Sequence, residues 1–63
     1  MYIIKQRDRL ILRYVLDDKG NWTDDPRKAK KWESKALATA YINCMEFKKC
    51  TLLEVASDGK IKF

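Results

Sequence analysis

Apolar and polar residues alternate from Leu10 to Leu16. Leu10, Leu12, Tyr14 and Leu16 share one parity, and Ile11, Arg13 and Val15 share the other, the period of two that a strand requires. Tyr2, Ile3 and Ile4 precede this run, and the polar trio Arg7-Asp8-Arg9 lies between them. The pattern predicts a β-hairpin with that trio as its bend. Side-chain parity then selects the loop length. A three-residue loop places Tyr2 and Ile4 on one face with Leu10, Leu12 and Tyr14, whereas a two-residue loop would set Lys5 opposite Leu10. The longer loop is therefore expected, with Ile3, Lys5, Ile11, Arg13 and Val15 turned to the other face.

Asp17-Asp18-Lys19-Gly20-Asn21 reads as a turn by composition, followed by a short strand at Trp22 and Thr23. Asp25-Pro26 suits the start of a single helical turn, with Asp25 as cap and Pro26 in first position. Ala29 to Trp32 is expected to return in extended form and lay Trp32 on the core. Ser34 is a good N-cap for one helix running to about Phe47, with Lys48 and Lys49 at its C-terminal end. At 100° per residue, Phe47, Ala40, Cys44, Leu37, Tyr41, Met45, Ala38 and Ile42 cover roughly 220° of its circumference. Thr39, Asn43 and Glu46 hold the rest. So wide an arc implies either that the chain wraps the helix on two sides or that part of it meets a partner.

A second hairpin is expected from Thr51 to Ala56 and from Lys60 to Phe63. A Ser57-Asp58-Gly59 loop aligns Val55 with Ile61 and Leu53 with Phe63, and sends Leu52, Lys60 and Lys62 outward. The whole predicts one α+β domain over residues 1–63, ββ–(short β)–α–ββ, a small antiparallel sheet with one helix packed on one face.

Composition agrees with a folding chain: 63 residues, 46% hydrophobic, two Gly and one Pro, against the profile of disorder. No apolar run approaches the roughly 20 residues of a membrane helix, and the N-terminus lacks the pattern of a signal peptide. A cytoplasmic protein with no membrane partner is the expectation. Histidine is absent, which removes the commonest acid–base side chain near neutral pH. Cys44 and Cys50 make neither a disulfide scaffold nor a zinc site, and read as free thiols that oxidation would pair only if a helix end brings them close. Gly20 and Gly59 stand apart and form no phosphate loop, and Asp17, Lys19 and Asn21 put a cation at a ligand position of the calcium-loop pattern. No catalytic residue, metal ligand or cofactor is expected.

The sequence from Tyr2-Ile3-Ile4-Lys5 through Asp18-Lys19-Gly20-Asn21-Trp22-Thr23, Lys28-Ala29-Lys30-Lys31-Trp32-Glu33-Ser34-Lys35 and Ala40-Tyr41-Ile42 resembles small proteins encoded by bacteriophages and prophages. In these, a hairpin, an AKxW-x-SK or AKxF-x-SK step and a helix recur. The resemblance spans residues 2 to 55 and is one of layout. It implies a protein that acts by binding, as host-takeover and anti-defence factors do, anti-CRISPR proteins among them. It transfers no functional residue.

Charge is segregated rather than spread. The net +5 includes Arg27, Lys28, Lys30, Lys31 and Lys35 around Glu33, preceded by the acidic Asp17, Asp18, Asp24 and Asp25. The basic group is a candidate nucleic-acid surface; the alternative is a solvated face paired with the acidic stretch. The expected outer sheet face, Ile3, Ile11, Arg13 and Val15, mixes aliphatic and basic side chains and carries no aromatic ring on which bases would stack. It reads as a protein interface, and the resemblance implies a host protein or protein–nucleic-acid complex as its partner. A homodimer closed by this face or by the wide helix arc is a third reading. Trp22, Trp32, Tyr41 and Phe63 are expected in the core, Trp22 with some exposure.

Overall fold

In the computed structural model, which describes residues 1–56, Arg9 and Leu10 turn the chain between β1 (Tyr2–Asp8) and β2 (Ile11–Val15). The strands pair antiparallel with Lys5 opposite Tyr14 and Asp8 opposite Ile11. This corrects the expected hairpin. Arg7 and Asp8 belong to β1, the loop has two residues, and Arg9 supplies the left-handed conformation (φ 50°) at the bend. The change inverts side-chain parity along β2. Ile11, Arg13 and Val15 share a face with Tyr2, Ile4 and Gln6, while Leu12 and Tyr14 share the other with Ile3, Lys5 and Arg7.

The reason lies in the sheet's surroundings. Ile4 and Val15 pack with Ala38 of the helix on one side, and Ile3 and Tyr14 pack with Ala29 and Val55 on the other. A strand covered on both sides need not sort its apolar residues to one face, so the parity rule had two acceptable registers. The two further strands are β3 (Trp22–Thr23) and β4 (Cys50–Glu54). β3 pairs with β2 through Val15–Trp22, and β4 pairs antiparallel with β1 through Ile4–Leu52 and Tyr2–Glu54. The sheet order is β3-β2-β1-β4. Together with the one α-helix of the described residues this is the expected α+β class. Leu52 faces the helix rather than outward. The expected strand Lys60–Phe63, its turn and the outward Lys60 and Lys62 lie outside the described residues.

The segment between β3 and the helix forms as its sequence indicates. Asp25 caps a 3-10 turn over Pro26–Lys28, its Oδ1 accepting from the Arg27 N–H at 2.9 Å. The chain then extends. The Lys30 N–H donates to the Val15 carbonyl (2.9 Å), and Trp32 exchanges both backbone hydrogen bonds with Tyr2 (2.8 and 2.7 Å). Residues 30–32 thus occupy the place beside β1 that β2 leaves after Val15. Ala29, buried just ahead of them, seals the face opposite the helix against Ile3 and Tyr14.

α1 (Lys35–Met45) starts at Ser34, whose Oγ accepts from the Leu37 N–H at 3.2 Å. It ends two residues before the expected Phe47, because Glu46 takes a left-handed conformation (φ 58°). There Phe47 N–H bonds Ile42 C=O and Glu46 N–H bonds Asn43 C=O, the pair of bonds that defines a Schellman ending. Phe47 and Ile42, brought together by it, both join the helix-side core. A row of rings then runs across this side: Trp32 to Tyr41 at 4.9 Å, Tyr41 to Phe47 at 5.8 Å, and Phe47 to Trp22 at 4.8 Å. The Tyr41 hydroxyl accepts from the Gly20 N–H (3.1 Å), pinning the turn before β3 to the helix. Ala38, Tyr41 and Ile42 carry the helix contact, and Ala36, Leu37, Ala40 and Cys44 stay exposed. The wide arc is therefore only partly covered among the described residues.

Because Ile3 and Ile4 are both fully buried, Ile3→Ala and Ile4→Ala should each cost about 2–4 kcal/mol in urea unfolding. A loss under about 0.5 kcal/mol for Ile3→Ala would mean that its face is open. Glu46→Gly should raise stability by about 0.5–1 kcal/mol, since glycine relieves the left-handed strain. The check is a higher urea midpoint at unchanged slope.

Candidate interaction surfaces

β1 runs between two groups of cations. At its Tyr2 end lie residues of the sequence cluster 27–35, and the structure gives several of them local partners. Arg27 pairs with Asp25, Nε to Oδ1 at 3.3 Å and a terminal nitrogen to Oδ2 at 3.4 Å. Lys30 sits over the Trp32 ring at 5.0 Å, and Lys35 over Tyr2 at 5.7 Å. Such contacts hold an exposed cation by about 0.5–1 kcal/mol. Lys28 is exposed and Lys31 half-buried.

In the acidic stretch, Asp17 is held by its own turn. Asp17 accepts from the backbone N–H of Lys19 (2.8 Å) and of Asn21 (3.3 Å) and from the Asn21 side-chain amide (2.7 Å), the self-closing turn that Asp favours. The Asn21 amide, more than any other partner, holds the Asp17 carboxyl below its ordinary value. At Asp25 the Arg27 backbone N–H and then its guanidinium do the same. Asp25 with Arg27 is thus a two-residue local pair, and it does not join the two stretches as blocks.

The other end of β1 carries a composite group that no single stretch of sequence contains. Leaving α1, the chain docks beside β1: the Gln6 side-chain amide donates to the Lys48 carbonyl (3.0 Å), and the Arg7 N–H donates to the Lys49 carbonyl (3.3 Å). Lys49, held at φ 59°, turns its Nζ to Asp8 Oδ1 at 2.8 Å. Arg13 donates its Nε–H to Gln6 Oε1 at 2.7 Å and lies over the Trp22 ring at 4.2 Å. Beyond this base the hairpin projects Leu10, which is fully exposed at 101%, with Ile11 at 51% and Leu12 at 49%. Arg7 and Arg9 flank them and are exposed. Three consecutive large apolar side chains exposed at a bend are a candidate contact site.

The four residues expected to form an outer interface separate. Ile3 and Val15 are wholly buried on opposite sides of the sheet, which removes them from any contact with a partner. Arg13 is half-buried over Trp22, and Ile11 alone of the four keeps a large exposed apolar surface, on the helix side of the hairpin. Leu10, Leu12, Arg7, Arg9, Lys48 and Lys49 were not singled out by the sequence. The available signal was the unbroken Leu10-Ile11-Leu12 beside a bend, where turns ordinarily carry polar residues.

Cys44 and Cys50 are both free thiols. Cys50, at the start of β4, donates its S–H to the Lys48 carbonyl at 3.6 Å, and partial burial pushes its thiol up despite the opposing charge of Arg13. That favours the unreactive protonated form. Among the described residues no helix is long and apolar enough to cross a membrane. Comparison with protein-family models, with curated proteins and with solved structures finds no match to this chain.

Asp17 and Asp25 should titrate below the ordinary aspartate range when followed through their side-chain carboxyl carbons by NMR. A folded value lowered in this way contributes stability that is complete above the ordinary carboxylate range and is lost as the pH falls through the folded value. Asn21→Ala should raise the Asp17 midpoint and leave that of Asp25 in place; an unmoved Asp17 would contradict the assigned cause.

Proposed function

We propose that this chain is a non-enzymatic binding protein that modulates a host protein or a protein–nucleic-acid complex by surface contact. It matches in kind the small phage- and prophage-encoded factors whose layout its sequence resembles, anti-defence proteins included, and the host cytoplasm is the compartment this role implies. The observation that supports it is the hairpin apex, where Leu10, Ile11 and Leu12 present apolar surface to solvent. Ordering that surface outward has no folding benefit, since burying one such side chain is worth about 1.5–3 kcal/mol to a domain with a thin core.

Direct nucleic-acid binding through Arg27, Lys28, Lys30, Lys31 and Lys35 is the competing reading. It is the weaker one because three of the five already lie against Asp25, Trp32 or Tyr2. A homodimer through the exposed Leu37 and Cys44 side of α1 is a further alternative, which sedimentation at high micromolar concentration tests.

Immobilised wild-type chain should retain a partner from bacterial lysate, and Leu10→Asp should reduce that retention at least tenfold. An unchanged captured set would count against the reading. A labelled oligonucleotide should not bind at low salt. Binding with a log–log salt slope of roughly −3.6, the value for about four phosphate contacts, would favour the nucleic-acid alternative instead.

A further inference from the structure

We infer that the β1–β2 hairpin is a rigid wedge that enters a preformed apolar pocket with an acidic rim on a partner protein. This rests on the surface-contact reading above and specifies its partner. The apex is apolar in three directions. Leu10 occupies the bend, Ile11 lies on the helix side of the sheet and Leu12 on the opposite side. A flat surface covers one of these directions, whereas a cavity covers all three and excludes water from each.

Charge selects the rim. Arg7 and Arg9 bracket the apex and Lys48 lies at its base, while Asp8, the one acid from Gln6 to Arg13, is neutralised by Lys49. Such a collar repels basic surfaces and complements acidic ones. The guanidinium forks of Arg7 and Arg9 match carboxylates two bonds at a time.

Stiffness selects a pocket over a lipid surface. The base of the hairpin is held by Gln6 to Lys48, Arg7 to Lys49, Asp8 to Lys49 and Arg13 to Gln6, with Arg13 laid on Trp22. A projection fixed in this way loses little freedom on docking, the circumstance in which a small contact binds well. A fluid bilayer makes no such demand on shape.

The test uses the full chain with a benzoylphenylalanine photocrosslinker in place of Leu10, and a control with the same group in place of the exposed Thr39 on α1. In bacterial lysate the Leu10 position should give a discrete protein adduct that the Thr39 position does not. Peptide mapping should place the adduct in an apolar cavity bordered by Asp and Glu. Arg7→Glu with Arg9→Glu should weaken capture at least tenfold, Arg7→Lys with Arg9→Lys should weaken it less because the charge is kept and only the bidentate fork is lost, and circular dichroism should show each variant folded. A partner captured equally by wild type, Leu10→Asp and the Arg→Glu pair would overturn the wedge while leaving surface contact by another face standing. Failure to capture any partner would overturn both. Leu10-dependent sedimentation with vesicles of phosphatidylserine and phosphatidylcholine would replace the pocket by a lipid surface and overturn the inference.

Discussion

Everything in this fold is referred to β1, which buries two consecutive side chains on opposite sides. Ile3 and Ile4 are both inaccessible to solvent, so the strand that carries them must be covered above and below while also pairing at both edges. β2 and residue Trp32 share one edge and β4 takes the other. The helix covers Ile4, and Ala29, Tyr14 and Val55 enclose Ile3. For a domain of this size the hydrophobic term is small in total. Two adjacent fully buried isoleucines on a central strand are an economical way to draw on both faces of a single sheet.

That arrangement explains which features were legible in the sequence. Local chemistry was: Ser34 and Asp25 act as caps and Pro26 opens a turn, because each depends on neighbours a few residues away, and Trp32 was legible as a large apolar side chain that a thin core needs. The register of the first hairpin was not. Between Leu10 and Leu16 apolar residues occupy both parities, and only the covering of the sheet on its second side, by a segment over a dozen residues downstream, decides between them. The cations at the hairpin base were equally hidden, since Lys48 and Lys49 reach Gln6, Arg7 and Asp8 only after the helix has crossed the sheet. Sequence proximity suggested one basic surface at residues 27–35; the folded chain engages three of those five side chains locally and assembles another group at the far end of β1.

Trp32, between β3 and the helix, shows which parts of an aromatic anchor the fold uses. Trp32 packs against Tyr41 and lends its main chain to Tyr2, yet its buried indole N–H meets no acceptor among the described residues. A buried donor in that condition works against folding. The ring and the extended backbone are therefore the functional parts of the anchor, and a phenylalanine supplies both without the unmet donor.

The row Trp32–Tyr41–Phe47–Trp22 has a cation laid on each end, Lys30 on Trp32 and Arg13 on Trp22. It passes from the extended segment through the helix and its C-terminal ending to the edge strand. Fixed rings in mutual contact produce a near-ultraviolet dichroic signal that vanishes when side-chain packing loosens, even where backbone structure survives. The molecule consequently contains an optical gauge of its own assembly, with an indole chromophore at each terminus. Undocking of the helix would separate Tyr41 and Phe47 from the two indoles and so weaken this signal even with the sheet intact.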